Sequence, residues 1–486
     1  MRHHGGVPPP DRLAALDAAF LDLETPRAPL HVGWTLRFEG RPPSRAALRR
    51  HLAGRLDRVP RFRRVVRSTA AGLAWVDDPG FDVAHHVDAV HLPAPGGPAE
   101  LRETAGALLG RTLDPARPLW RFYLVDGLRD GGFAVVGQAH HALVDGIAAI
   151  EVATLLFDLA GAPDERTALP AAWRPSRAPS PLAAATSETA RLARGTAETV
   201  ASLARFAAQP GAVAASMRDA GAALSDLLVP APQTALDRSV TRERRVAFAS
   251  VPFAAVREAG ARRSATVNDV FLAAATLALG NALRRRGERP AGLKAMVPVN
   301  VREGDAAALG NAISFMSVWL PVTEPDPTLV LRHIRDATRA AKRGGAARPM
   351  GAIARAGDLL PGLARRAVTQ ATARAASFNA VISNVPGPPV DLALLGRRLV
   401  SVHPAVPLLD GHAISVGAVS YDGRLHVGLY ADAAVVPDAI EIARDLESAF
   451  DALRLAPERP NAGPTPWRDR ARAKRDAARQ PAPARP

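Results

Sequence analysis

Residues 133–139, Phe-Ala-Val-Val-Gly-Gln-Ala, form a short apolar run opened by the pair Gly131-Gly132 and closed by two histidines, His140 and His141. A run of this length, bounded by turn residues and with no wet side, reads as a strand buried on both faces. Such a strand needs helices packed on its sheet, so the feature dictates a layered α/β fold. The next residues agree, with strand giving way to helix. Asp145 stands just before Gly146 and an apolar stretch reaching residue 159, the place of an N-cap carboxylate accepting first-turn N–H groups. Successive side chains of an extended backbone point to opposite faces, so His140 and His141 are expected to diverge, one towards a pocket and one into packing.

The alternation of strand and helix repeats along the chain. Strands are expected at 34–38, 73–76 and 120–125, with helices at 100–109 and after Ser44, where Leu48, Leu52, Leu56 and Val59 recur at helical spacing. Past residue 170 the composition turns Pro- and Ala-rich, and helical stretches near 187–208 and 213–228 read as a crossover packed on the body. Beyond about 244 a long helix is expected over 268–286, strands at 293–299, 379–382, 399–402, 413–419 and 425–429, and a last helix at 437–453. The expected organisation is an N-terminal domain over 1–170, a helical crossover over 171–240, a C-terminal domain over 241–456 and a basic, disordered Pro/Ala-rich tail over 457–486.

Composition removes several classes. None of the 486 residues is cysteine, which excludes disulfides, thiolate metal sites and a cysteine nucleophile and fits a reducing cytoplasm. Met1-Arg2-His3-His4-Gly5-Gly6 has no signal-peptide core behind it, and the longest uncharged stretch, 306–323, is too short to span a bilayer. The net charge is +15, from 62 Lys+Arg against 47 Asp+Glu, yet only Lys294, Lys342 and Lys474 are lysines, a bias that looks like GC-rich coding. With aromatics at 5% and no stacking residues interleaved among the basic ones, nucleic acid is disfavoured. An anionic membrane surface or an acidic ligand stays open.

The chemistry concentrates at the histidine pair. A neutral imidazole separated by three residues from a helix-capping Asp-Gly suits a general base taking a proton from a hydroxyl or amine. A metal is disfavoured, because adjacent strand histidines diverge and no other ligand stands at matching spacing. His85-His86, in a similar setting but without the trailing Asp-Gly, reads as packing. No Gly-x-Ser-x-Gly elbow, Gly-x-Gly-x-x-Gly fingerprint or P-loop occurs. What remains is an enzyme with a base but no protein nucleophile, and direct transfer between two bound substrates meets that description.

The segment from His140 to Gly146 resembles the His-His-x-x-x-Asp-Gly signature of acyltransferases with the chloramphenicol acetyltransferase-like fold, which include peptide synthetase condensation domains. His140 and Asp145 also satisfy the His-x4-Asp spacing of glycerol phosphate acyltransferases, but the double histidine and trailing glycine favour the former. Leu16-Asp17-Ala18-Ala19-Phe20-Leu21, Pro29-Leu30-His31-Val32-Gly33, Leu113-Asp114 and Arg117-Pro118-Leu119-Trp120 resemble the N-terminal half of bacterial wax ester synthase/acyl-CoA:diacylglycerol acyltransferases. Val267-Asn268-Asp269-Val270, Pro298-Val299-Asn300-Val301-Arg302, Gly310-Asn311 and Ser383-Asn384-Val385-Pro386-Gly387-Pro388-Pro389 come next, in that family's order. The resemblance covers about 16–455. It departs at Thr234-Ala235-Leu236-Asp237, where the family usually has Pro-Leu-Asn.

The resemblance implies two chloramphenicol acetyltransferase-like α/β domains with mixed sheets, joined by the crossover, with an active-site tunnel at their interface. It implies transfer of a long-chain acyl group from acyl-CoA to diacylglycerol or a fatty alcohol. No cofactor or metal is expected, and the setting is cytoplasmic, at a membrane or lipid-inclusion surface. His141 is the expected base, His140 its support and Asp145 a structural anchor before Gly146. The fold group's habit of pairing this aspartate with an arginine of the second domain points to Arg302. Pro118, Leu119, Trp120, Asn268, Asp269 and Asn384 are the further marked positions, and helix capping is an equal reading for Asn268. Two alternatives stay open, a non-catalytic protein of lipid surfaces and an acyltransferase with a polar or carrier-bound acceptor. Oligomeric state is not legible.

Overall fold

The computed structural model describes residues 11–69, 72–161, 173–176, 229–300, 313–343, 366–367, 370 and 378–456. The first half runs β1 (Asp11–Arg12), α1 (Ala15–Leu23), β2 (His31–Phe38), α2 (Arg45–Ala53), β3 (Arg64–Thr69), β4 (Gly72–Asp77), β5 (Val87–His91), α3 (Pro98–Leu109), β6 (Trp120–Asp126), β7 (Phe133–His140), α4 (Gly146–Leu156) and β8 (Asp158–Leu159). The second runs β9 (Arg244–Pro252), α5 (Phe253–Ala261), α6 (Val267–Arg285), β10 (Leu293–Asn300), β11 (Ile313–Leu320), α7 (Pro327–Arg343), β12 (Ala380–Val385), β13 (Leu392–Leu394), β14 (Arg397–Ala405), β15 (Ile414–Tyr421), β16 (Arg424–Asp432) and α8 (Ala439–Leu455).

Two mixed sheets organise these elements. The first has the order β5-β6-β7-β2-β14-β13-β8, with only β5 and β6 parallel among its neighbours. The second has the order β11-β10-β12-β15-β16-β9, with β12 parallel to both β10 and β15. A small sheet, β1-β4-β3, stands apart. β7 is buried at every residue, as its apolar run demands. On one side Phe133 and Val135 belong to a core with Leu48 and Leu52 of α2 and Ala148 and Val152 of α4. On the other, Ala134 and Val136 meet Leu101 and Leu108 of α3, in a core that continues through the second sheet, α6 and α8. The halves therefore share one hydrophobic interior.

The division into consecutive domains needs correction at 392–405. β13 and β14 belong to the second half of the chain yet complete the first sheet, with β14 running antiparallel to β2 from Leu399 opposite Phe38 to Ala405 opposite Gly33. The physical reason is edge protection, since β14 covers backbone groups of β2 that would otherwise stand unpaired. β14 also lies against β16, where a Cβ on Gly428 would collide with the Pro404 carbonyl oxygen.

Smaller differences have local causes. Ser44 caps α2 by accepting from Ala47 N at 3.1 Å, but the helix ends at Ala53, and the expected helical residues Leu56 and Val59 are buried from the 3₁₀ turns beyond it. β11 falls within 306–323, the uncharged stretch too short for a bilayer, and its buried Met316, Val318 and Leu320 alternate with half-buried neighbours. Among the described residues no helix is long and apolar enough to cross a membrane. The expected crossover helices at 187–228, the basic tail at 457–486 and Arg302 lie outside the described residues.

Candidate active site

The end of β7 builds the site. β7 stops at His140, and His141 begins a turn, so the two histidines diverge because the backbone bends and not, as expected, because both sit on pleated strand. His141 N donates to Leu30 O at 2.8 Å and Leu143 N to His140 O at 2.8 Å. Asp145 accepts from Ala148 N at 2.7 Å and is buried, so it caps α4 as its position predicts. Caps of this kind contribute about 0.5–2 kcal/mol.

His140 is fully buried, and its Nδ1 accepts from Ala142 N at 3.0 Å. A ring nitrogen that accepts carries no proton, so Nε2 holds the hydrogen. That hydrogen faces Glu24, whose Oε2 is 3.5 Å away, while Glu24 Oε1 is 3.2 Å from Nε2 of His31. His31 lies directly opposite His140 in the β2–β7 register. Burial by itself raises the Glu24 carboxyl, yet hydrogen bonding to His140 and His31 brings it down to about 2. Burial in turn lowers His31 against the pull of that carboxylate. One helical turn before Glu24, Phe20 stacks on the His141 ring at 4.0 Å between centroids and 17° between planes. α1 thus delivers an aromatic face to one histidine and a carboxylate to the other from a single side.

Glu24, His31 and Phe20 took no part in the site drawn from the sequence. A usable signal was present, because an acidic residue directly after a helix opposes the helix dipole and stays there only when something else holds it.

His141 and Gly146 stand at a largely apolar cavity of about 270 Å³ lined from both halves, by Trp34 and Leu36 of β2, by α4, by Pro298 and by β12, β14 and β15. Asn384 joins this lining with its neighbour Ser383. Gly146 packs so near β12 that a Cβ there would lie 2.9 Å from Val385 Cγ2.

The other marked residues are elsewhere. Thr266, not Asn268, caps α6, and Asp269 completes a capping box, its Oδ2 accepting from Thr266 N at 2.8 Å. Asp269 Oδ1 accepts from Thr338 Oγ1 at 2.6 Å, fastening α6 to α7. Neither Asn268 nor Asp269 lines the cavity. Pro118, Leu119 and Trp120 also stand outside it. Leu119 O accepts from His140 N at 2.9 Å, and buried Trp120 donates through Nε1 to Phe62 O at 2.7 Å. His86 stacks on Trp120 at 4.4 Å and donates through Nδ1 to its carbonyl oxygen at 2.9 Å, which makes it a packing residue. Burial lowers it to about 4. Asp237, at the departure from the family pattern, accepts from Thr234 N, Thr234 Oγ1 and Asn379 Nδ2 at 2.8–2.9 Å, so its turn is held from three sides. Among the described residues no group of three or more His, Asp or Glu could hold a metal ion.

The chain matches the profile of the wax ester synthase/diacylglycerol acyltransferase catalytic domain over residues 13–271 and that of the family's C-terminal domain over 309–454. It is 33% identical over 463 residues to a probable diacylglycerol O-acyltransferase of Mycobacterium tuberculosis (strain H37Rv), covering 91% of this chain and 96% of that one. Its structure resembles the wax ester synthase/diacylglycerol acyltransferase of Marinobacter aquaeolei VT8 with a TM-score of 0.65 and 26% identity, over 91% of this chain and 99% of that one. The first condensation domain of the calcium-dependent antibiotic synthetase shares the fold, with a TM-score of 0.60 and 15% identity, over 92% and 96% of the two chains.

Proposed function

Since the chain belongs to the wax ester synthase/diacylglycerol acyltransferase family, we propose that it moves a long-chain acyl group from coenzyme A to a hydroxyl of diacylglycerol or a long-chain alcohol, with His141 as base. The observation that carries this reading is the position of His141 beside a largely apolar cavity walled by both halves. A base at such a place serves a substrate whose reacting end is polar and whose body is hydrocarbon. That lining favours a lipid acceptor over a polar or carrier-bound one.

The reaction is built from the groups present. An alcohol is too weak an acid to attack a thioester unaided, so the His141 imidazole takes the hydroxyl proton as oxygen bonds to the carbonyl carbon. The carbon–sulfur bond then breaks, and the departing thiolate takes that proton from the imidazolium, leaving an ester and free coenzyme A. No acyl-enzyme forms and no cofactor enters. Phe20 fixes the plane of the His141 ring, and Asn384 is placed to meet the polar end of a substrate. Asp145 holds the helix start. The acceptors are insoluble and the net charge is +15, so the reaction belongs at an anionic membrane or lipid-inclusion surface facing the cytoplasm.

The test offers palmitoyl-CoA with dioleoylglycerol or hexadecanol and monitors coenzyme A release with a thiol reagent, to which a chain without cysteine adds no background. Release is expected with at least one acceptor, falling about 10²–10⁴-fold in His141→Ala. No release above that variant sinks the proposal and leaves a non-catalytic lipid-surface protein or an acyltransferase with a polar or carrier-bound acceptor.

A further inference from the structure

α4 has the sequence Gly-Ile-Ala-Ala-Ile-Glu-Val-Ala-Thr-Leu-Leu, apolar on nearly every side. Ala148, Val152 and Leu156 point into the core of the first sheet. That accounts for one side only. Gly146, Ile147, Ala149, Ile150 and Ala153 make a second apolar side, half-buried at every one of these residues, which lines the cavity. A helix apolar on two sides needs cover on both, and among the described residues the second side faces the cavity.

The cavity has a direction. It begins at His141 and Gly146, where Val385 closes on the glycine and Ser383 and Asn384 stand within two residues of that contact. It tracks α4 for roughly 16 Å, the rise from Gly146 to Phe157. β2 runs alongside, and its lining residues Val32 to Leu36 span about 13 Å. Both rulers end at one wall, where Phe157 sits edge-on to Phe38 at 5.9 Å, with buried Leu36, Leu392 and Leu399 around it. An apolar space of this depth, with Ser383 and Asn384 near the His141 end and Phe157 at the other, suits a hydrocarbon chain lying along α4.

We propose that this space holds a single unbranched alkyl chain, and that Ala153 and Phe157 set the longest chain the protein accepts. Ala153 lies about one helical turn short of the wall, so a large side chain there removes roughly 5 Å of depth, the room of about four methylenes. Phe157 is the wall itself, and trimming it lengthens the space. The inference rests on the acyltransferase reading of the site. The chain could enter on the thioester or on the alcohol, so both are varied.

In the test, saturated acyl-CoAs from hexanoyl to stearoyl are paired with hexadecanol, and alcohols from hexanol to octadecanol with palmitoyl-CoA. Values of kcat/KM are taken for the full chain and for Ala153→Phe and Phe157→Ala, and binding of each donor and alcohol is measured alongside by calorimetry. In Ala153→Phe the ratio of short-chain to stearoyl or octadecanol kcat/KM is expected to rise roughly 10- to 100-fold, as several methylenes lose their burial. Phe157→Ala is expected to shift it the opposite way, which keeps the proposal open to refutation if the crowded variant fails to fold. The series that responds identifies which substrate's chain occupies the space. If both folded variants keep the wild-type chain-length profile in both series, the proposal is overturned. If the wild type turns over no pair, the acyltransferase reading fails instead, and chain-length-dependent binding shifted by the two substitutions still upholds the alkyl site, while its absence overturns that as well.

Discussion

Glu24 Oε2 lies 3.5 Å from Nε2 of His140, on the side of the ring opposite the nitrogen that accepts from Ala142. A backbone N–H binds one end of the ring and an anion faces the other, and the turn that presents His141 is built beside it. Glu24→Gln keeps the shape but removes the charge. It is expected to lower kcat about tenfold, in the range typical of carboxylates that orient a functional histidine, with little change in KM. Steady-state kinetics on both substrates checks this, and a rise in KM with kcat intact would instead place Glu24 in substrate binding.

Gly146 leaves no room for a side chain against Val385. Gly146→Val is expected to reduce activity steeply while the helix cap at Asp145 stays in place. Adding Val385→Ala to that variant should restore part of the loss, and a double-mutant cycle in kcat/KM measures the coupling.

Histidines whose basicity burial lowers make the fold sensitive to acid. His403 of β14 stacks on Phe248 of β9 at 4.4 Å and stands edge-on to His426 of β16 at 5.3 Å, so the pair sits where the two sheets meet. Burial lowers His403 to about 3 and His426 and His86 to about 4. Their unfolded values lie near 6.5, so between about 6.5 and 4 the unfolded chain binds protons that the folded one refuses. The contribution of each to stability is complete above about pH 6.5 and is lost as pH falls below it, by up to about 1.4 kcal/mol per unit for each histidine. Glu24 also loses its stabilising role on acidification, but only below its unfolded value near 4.5. Melting temperature measured from about pH 8 to about pH 5 should fall, with a shallower slope in His403→Phe.

Thr338 donates to Asp269 and lies away from the cavity. Thr338→Val leaves a buried carboxylate oxygen without that partner, at a cost of about 1–3 kcal/mol. Denaturant unfolding should register the loss while kcat/KM per folded molecule stays at the wild-type value.

The local parts of this molecule can be read from its residues. The run before His140, the Asp145 cap and the Ser44 cap each depend on neighbours within a few positions, and each stands where the sequence puts it. What could not be read depends on pairing between distant segments. Nothing near residue 400 says that β14 belongs beside β2, because either sheet could accept an apolar strand of that length. Glu24 was hidden for the same reason, since a carboxylate near the start of the chain becomes informative only once β2 and β7 bring His31 and His140 over it. Asn268 looked like a cap because it opens a helix, but Thr266, two residues earlier, holds the better geometry.

The insertion of β14 into the first sheet also governs how the protein can be made. β2 and β7 emerge early in synthesis, yet the outer edge of β2 finds its partner only after residue 405 has left the ribosome. Until then an apolar strand edge is exposed on a half-finished sheet, a state that invites pairing with other chains. Completion of the first sheet therefore waits on residues from the second half of the chain.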